Sequence, residues 1–497
     1  MTESPSTELP NPQSCHSTPA RIGLSRKEWK CESLQIVALV LTVVLLYFPA
    51  LSFDFLNWDD YWYLHRNELI WSWHPANLWK VATEFVARNY APATIFTFLV
   101  EHTLWGMNPA GYHATNILLH ALNTALVFHL LRQLTRNDWL SFSVALLFAV
   151  HPVQVESVAW ISSRKTLLSS TFMLASFICW LRPERTARQE AWGILWLLLG
   201  LLAKASCVVI PAIVIAYDVL VARRKVSDAL SRQFIPIFFC LILILSTMQA
   251  QVTIVGGVRG HIGMSKLQLF AVNLTLLWRY VFMLIWPTGL CVLYDPPTNG
   301  IGPLVFLSAV GWGLVTAVLW RIRKTQPLVT FAGISALLIM IPMLNLFPLT
   351  TLMNDRYLYL TCIPVFAIFA AMLRQGWQFL PRLSSNRVLT RVAACTVTFA
   401  VAGALSVATH HYLPVWRDPI SLWNDARSKT PSLTVVHVQW ALALEELGER
   451  HEAIDALDHA MQHCHPDEAD QKRIEELKSR LLNPESRPMI DRRRTNL

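Results

Sequence analysis

A succession of apolar stretches, each close to the roughly 20 residues a helix needs to cross a bilayer, constrains this chain more than any other feature. The stretches run about 34 to 51, 113 to 131, 139 to 151, 165 to 181, 191 to 203 and 205 to 221, then 233 to 253, 303 to 320, 328 to 347, 357 to 374 and 392 to 413. Only 15% of the 497 residues are charged, against about 25% in an ordinary soluble domain. A water-soluble enzyme is excluded, and the expected fold class is an all-α polytopic membrane protein. The 20 tryptophans fit aromatic belts at the membrane surface. The nine cysteines are scattered singly, without disulfide or metal spacing, and read as packing residues. The net charge of +9 comes from short basic clusters between apolar segments, not from one stripe. It therefore reports topology, and nucleic acid is not an expected partner.

Arg26, Lys27 and Lys30 precede the first apolar stretch, which lacks a small-residue cleavage site and is longer than a signal-peptide core. Residues 1–30 are expected to be a disordered cytoplasmic tail. The segment 267 to 286 is ambiguous. If it spans, Arg321, Arg323, Lys324, Arg382, Arg387 and Arg391 all fall outside, against the positive-inside rule. The rule therefore predicts about eleven spanning helices within residues 31–413, with this segment not crossing. The first loop, 52–112, and everything after about residue 414 then lie outside the cytoplasm.

Residues 414–482 differ in composition and show helical periodicity, reading as a small soluble helical tail, followed by a disordered basic C-terminus at 483–497. Ala441, Gly448, Ala453, Leu457 and Ala460 match the packing positions of a tetratricopeptide unit, and Ala426 precedes Ala460 by one 34-residue period. A generic helical hairpin is the alternative. A docked protein partner is the function such a module implies.

Buried charge is costly in lipid and tends to mark function, so the polar constellations carry the chemistry. In FDFLNWDDYWYLHRN, adjacent Asp59 and Asp60 sit among interfacial aromatics. A carboxylate here suits accepting a proton from an attacking hydroxyl or holding a divalent cation; the alternative is that one caps a short helix. His113, Asn116, His120 and Asn123 share one helix face and read mainly as interhelical hydrogen-bonding groups, with His113 nearest the external end. Pro152 interrupts the next helix and is expected to bring His151 and Glu156 to the external surface, beside Arg164 and Lys165. Lys204 and Arg356 break the positive-inside pattern. External cations at helix ends suit phosphate, Arg by a bidentate fork and Lys as a point charge.

The motifs WDDYWYL, YHATNILLHALNTALVF, FAVHPVQVESVAWISSRK, LLAKASCVVIPAIVIAYDVL, RYVFMLIWPTGLCVLYD and NDRYLYL, in this order, resemble the GT-C class of membrane glycosyltransferases. The resemblance is closest to the transmembrane and tetratricopeptide repeat O-mannosyltransferases and their bacterial relatives, and covers about residues 34 to 465. It implies a polyprenyl-phosphate sugar as lipid-linked donor, transfer to a hydroxyl on a protein or glycan acceptor outside the cytoplasm, and inversion at the anomeric carbon. The activity it implies is protein O-glycosylation. It assigns the loop acids to Asp59 and Asp60, one of them the base, and the supporting histidine and acid to His151 and Glu156. The late-loop arginine is Arg356 and the loop lysine Lys204, although the acid that often follows that lysine is Ala205 here. With scarcely one repeat unit, the chain has the look of a bacterial version, which implies the inner membrane with a periplasmic active site and tail. No obligatory cofactor is expected, since fixed cations can stabilise the leaving group, with a divalent cation as the alternative. Rival readings are a surface-polysaccharide polymerase or ligase, which uses the same donors, and a non-enzymatic repeat-bearing scaffold, which needs no external acids.

Overall fold

The computed structural model describes residues 26–87, 89–255, 264–344, 351–378, 387–464 and 466–483. Among them the chain is helical throughout, with no strand beyond an isolated Val86–Asn89 bridge. The first 25 residues, the end of the basic C-terminus and Arg382 lie outside the described residues.

Helix Pro109–Thr135 is the central rod. It starts on a proline whose missing N–H costs nothing at that position, behind Asn108, whose side chain accepts from Ala110 N. It ends where Arg136 turns left-handed at φ +50°. Arg26–Tyr47, Asp138–Val150 and Arg164–Trp180 pack around it. Its polar face is buried as expected. Asn116 Nδ2 donates to Val158 O and Trp160 O (3.2 and 3.0 Å), and Asn123 Nδ2 to Leu167 O and Tyr359 Oη (both 3.0 Å). His120 joins Tyr359 Oη at 2.8 Å. These bonds replace water that the bundle excludes.

The break at Pro152 differs from expectation. Asp138–Val150 and Pro152–Ala159 bend by 56°, and the bend turns the chain inward. His151 and Glu156 are fully buried, not at the external surface. The physical reason is that their partners lie inside: His151 Nδ1 accepts from Val153 N, capping the turn after the helix, while Nε2 reaches Leu284 O at 3.1 Å.

Among the described residues, five helices are long and apolar enough to cross a membrane, Glu32–Ser52, Pro109–Thr135, Lys266–Ile285, Gly302–Ile322 and Val392–Trp416, or seven if each bent pair counts as one span. Ala205–Leu220, Pro327–Met343 and Cys362–Gly376 are shorter apolar helices. Lys266–Ile285 thus has the length and apolarity of a span, whereas the charge pattern assigns it none. It packs on Gly302–Ile322, with Trp278 and Trp312 rings 4.6 Å apart.

The first loop is folded. Helices Pro75–Thr83 and Pro92–Trp105 enclose a small core of Phe55, Tyr63, Leu64, Ile70, Phe98 and Tyr112. A fully buried guanidinium anchors it: Arg164 Nη1 meets Glu101 Oε2 at 2.7 Å, while its other nitrogens reach Tyr112 O and Asn116 Oδ1. Removing one partner of such a buried pair costs about 3–5 kcal/mol, because the other charge is left uncompensated.

The tail forms helices Pro419–Lys429, Thr434–Leu447, Arg450–His463 and Glu468–Leu482. Gly448, at φ +90°, makes the turn between the second and third in a region favouring glycine. Ala441, Ala453, Leu457 and Ala460 are buried between the helices. The tail is not a free appendage, however. Trp416, Leu422, Trp423 and Val436 belong to the main core. Trp423 Nε1 donates to Asn57 Oδ1 (2.6 Å), Asn57 Nδ2 to Gln439 O (3.1 Å), and Lys429 Nζ to Leu290 O (2.7 Å). Sequence periodicity sees helices within the tail but not the surface on which they rest.

Because tail and first loop are bonded to one another, cysteines replacing exposed Trp62 and Glu452 are expected to react with an impermeant thiol reagent from the same side of the membrane. Labelling from opposite sides would refute the docked arrangement. Trp423→Ala, which removes a fully buried ring, is expected to destabilise the protein by about 3–5 kcal/mol, read as a lower Tm.

Candidate active site

Helix Arg164–Trp180, the turn after helix Ala187–Ala203 and the Asn354–Leu358 turn wall a small cleft that holds two of the expected site residues, Lys204 and Arg356. Thr166, Ser169, Lys204, Ser206, Arg356 and Tyr357 are among its walls. Lys204 reaches it because helix Ala187–Ala203 stops and Ala205–Val209 continues as a tight 3-10 turn, leaving Lys204 extended between them. Its ammonium donates to Thr166 Oγ1 at 3.0 Å. Burial, reinforced by the Arg356 and Lys165 cations, pushes Lys204 down to about 7.

Arg356 is held rather than free. Its backbone N–H donates to Glu156 Oε2 at 2.7 Å and its Nη1 to Glu156 Oε1. The guanidinium lies over the Trp160 and Tyr357 rings, 5.2 and 5.4 Å from their centroids. Glu156 therefore orients a cation that is part of the cleft wall. Arg has five N–H donors in a planar fork and keeps several to spare after one is committed.

The two adjacent aspartates part company. Asp60 is fully buried: Oδ2 accepts from Leu56 N (3.0 Å), and Oδ1 from Ser162 N (2.9 Å) and Ser162 Oγ. Burial pushes it up to about 6, against the lowering effect of those hydrogen bonds. It precedes the short π-helix Tyr61–His65 but makes no side-chain cap bond to it. Asp59 keeps a side chain one-third exposed, and Lys165 Nζ donates to its Oδ2 at 3.3 Å. Lys165 also donates to Tyr63 Oη and lies 4.8 Å from that ring's centre. The field of Asp59 acts on both Lys165 and Arg356, so the loop acid and the late-loop cation lie within electrostatic reach of one another.

His113 stands apart, buried edge-on against Phe53 with ring centroids 6.1 Å apart. His151 caps the bend. Sequence reasoning missed Lys165 as the partner of Asp59, Ser162 as the anchor of Asp60, and Asp355. That last carboxyl accepts from Tyr294 and Tyr412 hydroxyls, and burial, then the nearby Glu156, raises it well above the carboxylate range. Its position beside Arg356 was the available signal.

A second, apolar groove adjoins the cleft. Leu131, Leu174, Phe177, Ile213, Phe331 and Ile363 are among its walls, and Ile339 and Leu360 line both spaces.

No family model matches the sequence. The chain is 33% identical to the mouse protein O-mannosyl-transferase TMTC2 over 146 residues, which is 28% of this chain and 17% of that protein. It is 26% identical to mouse protein O-mannosyl-transferase TMTC3 over 393 residues, 68% of this chain and 40% of that protein. Among solved structures, the Archaeoglobus fulgidus oligosaccharyltransferase, in a crystal structure with a tethered acceptor peptide, superposes with a TM-score of 0.44 at 14% identity, covering 88% of this chain and 59% of that one. The chain spans less than half the length of either mannosyltransferase, and the similarity to TMTC3 runs over two thirds of this chain while that to TMTC2 covers 28% of it.

Proposed function

We propose that this chain is a GT-C class membrane glycosyltransferase that moves a sugar from a polyprenyl-phosphate donor to a hydroxyl acceptor, as in protein O-glycosylation, at the external face of a bacterial inner membrane. The observation that carries the reading is the junction of two spaces: a cleft walled by Lys204 and Arg356 beside an apolar groove, with Ile339 and Leu360 common to both. A phosphate on an isoprenoid tail has the same division of chemistry. The similarity to O-mannosyl-transferases supports a sugar as the transferred group and a protein as acceptor.

In the mechanism, the isoprenoid lies in the groove and the phosphate meets Arg356, held by Glu156, and Lys204. A bound phosphate favours the charged form of Lys204, which burial otherwise disfavours. The acceptor oxygen attacks the anomeric carbon from the face opposite the phosphate. The bond from that carbon to the phosphate oxygen breaks, and its electron pair leaves with polyprenyl phosphate. The hydroxyl proton passes to Asp59, the exposed acid, which Lys165 orients. Asp60, with both oxygens engaged, holds the loop instead. The developing charge falls on preorganised cations.

Asp59→Asn is expected to leave donor binding near the wild-type level while lowering the transfer rate by roughly a hundredfold or more, the usual size of a general-base contribution. Full turnover in that variant would remove the chemical basis of the proposal. Arg356→Lys is expected to weaken donor binding despite conserved charge, since the fork that Glu156 orients is lost; direct titration with a polyprenyl-phosphate sugar measures this.

Asp60→Asn is expected to affect stability and its pH dependence. The carboxyl sits at about 6 in the fold against 3.8 in the unfolded chain. The folded state thus binds the extra proton, and the stabilising contribution is complete below the unfolded value and lost as pH rises through the folded one. Wild-type stability should fall relative to Asp60→Asn between those two pH values. Parallel denaturation curves that keep a constant separation across that window would show that Asp60 does not titrate there.

A further inference from the structure

The tail holds a grouping that the transfer reaction does not use. His437, His459 and Cys464 each offer a ligand atom, and these atoms all lie within 4.8 Å of one another, the one such grouping among the described residues. Reading the cysteines alone finds no metal spacing, because two of these donors are histidines, one of them on a neighbouring helix.

The architecture brings them together for a simple reason. Helices Thr434–Leu447 and Arg450–His463 form a hairpin turned at Gly448. His437 lies in the first turn of one helix, and His459 and Cys464 at the end of the other. All three therefore sit at the open end of the hairpin, opposite the turn. The Pro431 carbonyl already collects two of them, accepting from His437 Nε2 at 2.9 Å and from Cys464 Sγ at 3.4 Å. The His459 ring stacks on His437 with centroids 4.6 Å apart. His437 is buried, which limits its motion, while His459 is exposed and Cys464 partly so, giving an ion a way in from solvent.

We propose that His437, His459 and Cys464 bind a divalent cation of the zinc class, with a fourth position open to water. Two imidazoles and a thiolate are the donors that zinc accepts in tetrahedral geometry, and they do not suit magnesium or calcium, which prefer oxygen. Binding requires the thiolate, so the Cys464 proton passes to solvent, and the Sγ–H donation to Pro431 is exchanged for a metal–sulfur bond. The ion then cross-links the free ends of the hairpin. Through Gln439 O, which holds Asn57, the stiffened hairpin is the one on which the first loop rests.

The test uses the full-length protein in detergent, with cobalt(II) as a spectroscopic probe and zinc as competitor. We expect one equivalent of cobalt with a thiolate-to-cobalt absorption band that zinc abolishes, and a Tm raised by zinc. Cys464→Ser is expected to lose the band. His459→Ala, a change at an exposed position, is expected to weaken binding by more than the roughly 10–100-fold that loss of an outer-shell partner costs. Neither variant should change Tm in the absence of metal as much as zinc raises it in the wild type. No thiolate band in the wild-type protein, or equal zinc affinity in all three proteins, would overturn the proposal and leave the cluster as a stack of histidines. Because the readouts are binding and stability, a negative result here is independent of whether the chain transfers sugar.

Discussion

The bent segment from His151 to Lys165 is the element on which the rest of the structure depends, because its charged side chains, Glu156, Arg164 and Lys165, are largely buried and find their partners inside. A buried unpaired charge costs several kcal/mol, so each charge selects the element that can satisfy it. Arg164 draws in Glu101 and with it the helix Pro92–Trp105. Glu156 takes Arg356 of the late loop, and Lys165 takes Asp59 of the first loop. Ser162 holds Asp60 through its backbone N–H and its hydroxyl. A proline-broken helix is well suited to this role. It frees backbone groups from the regular helical pattern and points consecutive side chains in different directions, so fifteen residues reach three other parts of the chain.

The tail adds a second fixed point. Asn57 stands two residues before Asp59 and is bonded on both sides of its amide, to Trp423 and to Gln439 O. Trp58 rests on the Trp423 ring at 5.3 Å. Asp59 is thus flanked by an anchor on the tail and, at Asp60, by an anchor on the bent segment. An exposed acid between two buried anchors can remain open to a substrate without wandering, which is the arrangement that positioned acid–base chemistry requires.

Much of this was legible in the sequence, and what was not has a physical cause. The polar face of Pro109–Thr135 could be read because spacings of three and four residues project to one side of a helix. Glu156 and Arg356 were both visible as charges in apolar surroundings, but not as partners, since 200 residues separate them and one sequence carries no record of contact. The expectation that His151 and Glu156 face outward failed because a proline announces a break without giving its direction. The different surroundings of Asp59 and Asp60 were likewise beyond spacing: one side chain finds Lys165 and the other Ser162. The tail's helical periodicity was legible, whereas its docking depends on Trp423 meeting Asn57, 366 positions away.

The charge balance of the cleft completes the argument. Lys165, Lys204 and Arg356 face the carboxylates of Asp59 and Glu156, while Asp355, beside them, is held towards its neutral form by burial and by Glu156. Among the described residues these are three cations to two carboxylates, and burial acts on the least compensated of the three, Lys204, whose ammonium is pushed down to about 7. Among the described residues, Lys165 has Asp59 and Arg356 has Glu156 as ion-pair partners, whereas Lys204 donates to the Thr166 hydroxyl and has no ion pair. An anion entering beside Lys204 and Arg356 supplies the missing charge, and in a space of low dielectric its attraction is stronger than it would be in water. The same excess disfavours a neutral occupant, which would leave the ammonium desolvated and unpaired. Under the proposed function, a cleft built this way would discriminate by charge before shape, and the apolar groove that shares Ile339 and Leu360 with it would then favour, among anions, one that carries a hydrocarbon tail.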